Sequence, residues 1–144
     1  MRGGLFVNRP NKTKKLMTNL EKTYSIHADP AAVYKALTEV PMIEQWTGSP
    51  ATMEATEGGT FTMWDGDIHG INRELSASRI EQDWKMASWP SFSKCVFELK
   101  AIPEGTQVVL HHTEVPEGSK ESVSTGWDEY YFGPLKALLE KSYA

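Results

Sequence analysis

The chain has 144 residues, of which 40% are hydrophobic and 24% charged, with a net charge of −4. That is the size and balance of one globular domain with a real core, and no run approaches the roughly 20 apolar residues of a membrane span. The single cysteine, Cys95, excludes an internal disulfide and fits a reducing compartment.

Charge is unevenly spread. Residues 1–15 hold Arg2, Arg9, Lys12, Lys14 and Lys15 and no acid, which leaves −9 on the remainder. A body that acidic argues against nucleic acid as a partner, because phosphate binding needs a basic surface. The basic head has no apolar core of a secretory signal. Residues 1–16 therefore read as a flexible basic tail, with Met17 a candidate initiator and 17–144 a single domain.

In chain order, residues 20–28 alternate Leu20, Lys22, Tyr24 and Ile26 against Glu21, Thr23, Ser25 and His27, a half-buried strand. Asp29-Pro30 starts a short helix, with Asp29 as N-cap and apolar Val33, Leu37 and Val40 on one edge. Pro41 breaks that helix and begins another through Trp46, ended by Gly48-Ser49-Pro50. Antiparallel strands are expected next over residues 51–56, 60–64, 68–75, 80–88, 92–102 and 106–115. Turns at Glu57-Gly58-Gly59, Asp65-Gly66 and Pro103-Glu104-Gly105 separate some of them, and Asp65-Gly66 is a strong type I′ hairpin signal. Along 92–102, Cys95, Phe97, Leu99 and Ala101 share one face.

Residues 126–139 form the last and largest apolar element. Trp127, Tyr131, Leu135 and Leu138 recur at helical spacing, and Tyr130 and Leu139 widen the stripe. Ser119 and Ser122 are candidate caps. Gly133-Pro134 interrupts the pattern, since Pro134 cannot donate back to Tyr130, so a kink or short break is expected there. A curved antiparallel sheet needs cover on its apolar face, and only this helix is large enough to supply it. The predicted class is α+β, a sheet of six or seven strands wrapped on a long C-terminal helix. Trp46, Phe61, Trp84, Phe97, Trp127 and Tyr131 are the candidates to line a cavity between them.

Residues with reactive chemistry do not converge. His111 and His112 are adjacent in a strand and point to opposite faces, so they cannot easily share a metal. No HxH, HExxH, CxxC, nucleophile elbow, phosphate loop or dinucleotide fingerprint occurs. Cys95 lies among apolar strand neighbours and reads as a small buried hydrophobe rather than a nucleophile. Neither a catalytic residue nor a cofactor or metal is expected.

Three blocks carry a family likeness. Ala51-Thr52-Met53-Glu54-Ala55, with Gly58-Gly59-Thr60-Phe61 and Asp65-Gly66, is the first; Ser88-Trp89-Pro90 is the second. Gly126-Trp127 followed by Tyr130-Tyr131-Phe132 is the third. Over residues 20–140, in this order and spacing, the chain resembles the C-terminal domain of the activator of the heat shock protein 90 ATPase, a helix-grip or START-like domain. The resemblance implies a cytoplasmic, non-enzymatic co-chaperone-like domain that binds or modulates that chaperone. The 144 residues leave no room for the activator's separate N-terminal domain, so the implication is firmer for fold than for activity. The alternative is a carrier or sensor of a small hydrophobic ligand in the cavity. A hydrolase or cyclase of the same superfamily ranks third, for want of a polar constellation.

Overall fold

The computed structural model describes residues 17–141, and the tail expected over residues 1–16 lies outside them. The alternating segments become seven strands: β1 (Met17–Ile26), β2 (Thr52–Met53), β3 (Thr60–Met63), β4 (Ile68–Ser76), β5 (Arg79–Met86), β6 (Ser93–Ile102) and β7 (Gly105–Pro116). They form one antiparallel sheet in the order β1-β7-β6-β5-β4-β3-β2. Two short helices, α1 (Pro30–Thr38) and α2 (Val40–Thr47), follow β1. A helical run closes the chain, made of α3 (Lys120–Gly126), a π-helical turn (Trp127–Phe132) and α4 (Gly133–Lys141). This is the expected helix-grip arrangement.

The core lies between sheet and helix. Ile80, Phe97, Leu110 and Val108 from the strands meet Trp127, Tyr131, Phe132, Leu135 and Leu139 from the helix, all buried. The alternation read in β1 holds, with Leu20, Lys22, Tyr24 and Ile26 turned inward and their neighbours exposed. Asp29 caps α1 as expected, its carboxylate accepting from the Ala32 N–H at 2.9 Å. Gly48, at φ +71°, ends α2 in the left-handed conformation that glycine takes without steric cost.

Helix and first strand are tied together by polar groups as well. Lys22 Nζ donates to the Asp128 carboxylate at 2.9 Å and to the Ser124 carbonyl at 2.9 Å. The Tyr24 hydroxyl donates to the same carboxylate at 2.7 Å, while its ring stacks on Phe132 at 4.2 Å. The Lys22 hydrogen bond, helped by that of Tyr24, holds the Asp128 carboxyl below its usual range. Further along, Glu140 accepts from the His27 N–H at 2.9 Å. Both halves of the helical run are thereby fastened to the start of the sheet.

Several boundaries differ from the sequence reading. The strand expected over 51–56 shrinks to Thr52–Met53, and Ala101 is exposed near the end of β6. The hairpin after β3 is centred one residue early: Trp64 and Asp65 take φ +50° and +55°, and the Gly66 N–H closes the turn onto the Met63 carbonyl at 3.2 Å. Neither Ser119 nor Ser122 caps the helical run; the Ser122 hydroxyl donates to the Ser119 carbonyl instead.

The break expected at Gly133-Pro134 takes the form of the π turn. The Gly133 N–H donates to the Asp128 carbonyl, five residues back, and a Cβ at 133 would stand 2.6 Å from that oxygen. A turn with i→i+5 bonds absorbs one extra residue. The buried stripe shifts by one beyond it, from Leu138, which is half-buried, to Leu139, which is buried. Tyr130, read as part of the stripe, is thrown outward and is 64% exposed.

Gly70 shows how tightly the sheet face is filled. Phe61, Gly70, Trp84 and Ser93 stand in one cross-strand row. A Cβ at Gly70 would meet the Asp83 carbonyl at 1.9 Å and the Phe61 ring at 2.6 Å. Gly70→Ala is expected to cost about 1–3 kcal/mol in urea denaturation through this overpacking; an unchanged midpoint would show that the row has slack.

Candidate functional site

The sheet and helix do not close everywhere. A half-open cavity of about 510 Å³ lies between the β3–β4 turn, the end of β5 and the first turns of the helical run. Trp64, Asp67 and Ile68 form one wall, and Trp84 and Met86, which share a face of β5, form the second. The helix supplies the third through Val123, Gly126, Trp127, Tyr130 and Tyr131, with Ser122 beside them. The lining is almost wholly apolar. Among the described residues its only ionisable groups are the Asp67 carboxyl and the phenols of Tyr130 and Tyr131, so they bring it no cationic group.

Of the six residues expected to line a cavity, Trp84, Trp127 and Tyr131 do so. Trp46, Phe61 and Phe97 do not, and stand in the core instead. Trp46 donates its indole N–H to the Ala36 carbonyl at 2.8 Å and packs on Tyr131 at 4.7 Å, which fixes it under α1. Phe97 packs against Trp127, Tyr131 and Phe132, and the Phe61 ring lies over Gly70. Trp46 and Phe97 thereby hold rings of the lining from outside the cavity.

The family-motif residues separate in space. Trp89 is buried and packs on Trp84 at 5.8 Å, with its N–H on the Met86 carbonyl, in the bend between β5 and β6. Ser88 and Pro90 are exposed on either side of it. Gly126, Trp127, Tyr130 and Tyr131 all reach the cavity, whereas Phe132 is buried against Tyr24 and Phe97.

Behind the cavity runs a buried polar chain that was not legible in the sequence. The Trp127 indole N–H donates to His112 Nδ1 at 3.0 Å. An indole nitrogen only donates, so Nδ1 must accept and the ring proton sits on Nε2. Nε2 then donates to the Ser93 hydroxyl at 2.7 Å, and that hydroxyl donates to the Trp84 carbonyl. Burial pushes the His112 imidazolium down to about 3. Both ring nitrogens are committed and neutral, which leaves neither for proton transfer or for a metal. His111 faces the other way, near Glu98 and Glu21. Cys95 is fully buried, and burial raises its thiol well above the ordinary range, so no thiolate nucleophile forms there.

Three local features converge on the cavity and carry a cost. Trp64 holds a positive φ, a conformation worth about 1–2 kcal/mol of strain for a residue with a Cβ. The Trp84 Nε1–H is buried without a hydrogen-bond partner among the described residues. Gly126 sits in a helix at φ −61°, ψ −40°, and nothing lies within 4 Å of where its Cβ would be. Glycine there costs about 1 kcal/mol relative to alanine, and neither backbone nor packing asks for it. The sequence reading missed Trp64, Ile68, Met86 and Val123 as lining. Trp64 looked like the last residue of a strand, and nothing local distinguishes the other three from ordinary core residues.

Sheet, gripped helix and interposed apolar cavity define a helix-grip domain without a polar reaction centre among the described residues. The family model described as Activator of Hsp90 ATPase homolog 1-like protein matches residues 27–140, and the chain belongs to that family. It is 32% identical over 111 residues to activator of 90 kDa heat shock protein ATPase homolog 2 of Mus musculus, covering 75% of this chain and 34% of that protein. It is 30% identical over 110 residues to homolog 1 of Homo sapiens, covering 74% and 32%. The chain thus spans about a third of the length of the curated relatives it matches. Among solved structures, an HSP90 activator from Plasmodium falciparum superposes with a TM-score of 0.80 at 23% identity, covering 84% of this chain and 95% of that one. No helix among the described residues is long and apolar enough to cross a membrane.

Proposed function

We propose that this chain is a non-enzymatic, cytoplasmic co-chaperone-like domain that binds a heat shock protein 90 chaperone and modulates its ATPase. The observation that carries the reading is the family match over residues 27–140, which takes in nearly the whole described body from α1 to the end of the helical run. The inert state of His112 and Cys95 supports a binding role over catalysis. Tested by itself, a domain that spans about a third of its relatives' length works without the effective concentration that linked modules share. Alone it is expected to bind in the micromolar range or weaker, and to stimulate turnover only in large excess. It is expected to favour the ATP-closed chaperone, since a module shifts an equilibrium only toward the state it binds better. Calorimetric titration of the purified pair, with and without a non-hydrolysable nucleotide and alongside turnover rates, tests this. Silence at high micromolar concentration would remove the co-chaperone reading.

The second reading, a carrier or sensor of a small hydrophobic ligand, is carried by the 510 Å³ apolar cavity between sheet and helix. Its volume falls within the range of natural small-molecule sites.

A further inference from the structure

We propose that the cavity takes an uncharged, flat aromatic molecule bearing one hydrogen-bond acceptor, that the acceptor meets the Trp84 Nε1–H, and that Gly126 keeps the space open for it. This rests on the ligand reading of the cavity and names the class of ligand.

Charge selects first. Among the described residues no lysine, arginine or histidine reaches the lining, and Asp67 is its only carboxylate. An anion would therefore lose its hydration beside a negative group and gain no cationic partner there. Shape selects next. Trp127 and Trp84 stack at 5.3 Å with 30° between their planes, and Trp64, Tyr130 and Tyr131 complete an aromatic wall. Such walls favour a rigid ring system, which offers its face and edge to them and loses little entropy.

One polar demand remains. Trp84 is 3% exposed and its indole N–H has no acceptor among the described residues, an unusual state for a buried donor. The nitrogen is covered as the cavity stands. Met86, on the same strand face and flexible about three bonds, can yield to admit an acceptor.

Gly126 is the independent sign that the space is kept for something. A helical glycine with an ordinary backbone and open space around its missing side chain is unexplained by the fold. It is explained if any larger residue there would project into the cavity that it lines.

The test uses the full chain and three fluorescent probes: prodan, an uncharged naphthalene ketone; dimethylaminonaphthalene, which lacks the ketone; and the anionic anilinonaphthalene sulfonate. Prodan is expected to bind saturably with blue-shifted emission, roughly three- to ten-fold tighter than the ketone-free analogue, the value of one neutral hydrogen bond. The sulfonate is expected to bind at least about ten-fold more weakly than prodan, since its full charge would be desolvated beside Asp67 with no cation in the described lining to offset it. Trp84→Phe should bring prodan down to the level of its analogue; the smaller ring also gives up packing against Trp89, His112 and Trp127, so binding is compared at a temperature where the variant is folded. Gly126→Leu should abolish binding of both uncharged probes while the protein stays folded. If the sulfonate binds as tightly as prodan and is lost in Gly126→Leu, the cavity holds ligands but the uncharged class is wrong. If prodan and its analogue bind equally, the Trp84 contact is wrong, and the wild-type protein alone decides this even if Trp84→Phe fails to fold. If no probe binds, or Gly126→Leu leaves binding unchanged, the ligand reading of the cavity falls with it.

Discussion

Replacing Trp127 with alanine is expected to destabilise the protein by about 3–5 kcal/mol in chemical denaturation, the range for truncating a large buried aromatic. Trp127 is 2% exposed and touches Trp84, Phe97, His112, Tyr131 and Phe132. Truncation removes those contacts and also strands the His112 Nδ1 acceptor. Trp127→Phe separates the two effects, since it keeps a ring but removes the N–H. It is expected to cost about 1–3 kcal/mol, the penalty for a buried polar atom left unpaired. Equal losses in the two variants would mean that the hydrogen bond, not the packing, dominates. A negligible loss in Trp127→Ala would overturn the packing of helix on sheet described above.

The second large effect is on acid stability. Burial lowers His112 from an ordinary 6.5 to about 3. Between those values the unfolded chain binds a proton that the folded protein refuses, so stability is full above about pH 6.5 and falls as the pH drops toward 3. The loss is on the order of 4–5 kcal/mol across the window, at about 1.4 kcal/mol per pH unit. Glu54, whose carboxyl accepts from Thr60, and Asp128 are both held below their usual range, and protonating them erodes stability in the same direction. That contribution begins only in the carboxylate range near pH 4, so the interval from 6.5 to 4.5 isolates the imidazole. His112→Gln keeps an acceptor for Trp127 and a donor for Ser93. Denaturation midpoints should fall with pH in the native protein and stay nearly flat over that interval in the variant. A slope that survives the substitution would place its source elsewhere.

Period-two and period-3.6 patterns carry most of this fold because each element buries one face. Strands β4 to β7 and the stripe from Trp127 to Leu135 could be read from spacing alone. The cavity could be read only in part. Trp84, Trp127 and Tyr131 stood out as large inward aromatics, but so did Trp46, Phe61 and Phe97, and nothing in periodicity says which side of a packed ring faces empty space. Trp64 was lost because its position follows from a turn of positive φ, which Asp65-Gly66 suggested one residue late. The chain from Trp127 through His112 and Ser93 to Trp84 joins four elements at separations of 9 to 19 residues that no local period marks. Only the register of β5, β6 and β7 brings them together.

The wider turn at Trp127–Phe132 makes the two halves of the helix keep different count. Any comparison by hydrophobic pattern that is in step at Trp127 is one residue out by Leu139. A shorter sequence lacking one exposed position there, such as Glu129, would wind the turn into a plain α-helix and still lay Leu135 and Leu139 on the sheet. What it would give up is the outward throw of Tyr130 at the rim of the cavity. Length variation at this point of the helix is therefore variation in the doorway, with the building left as it was.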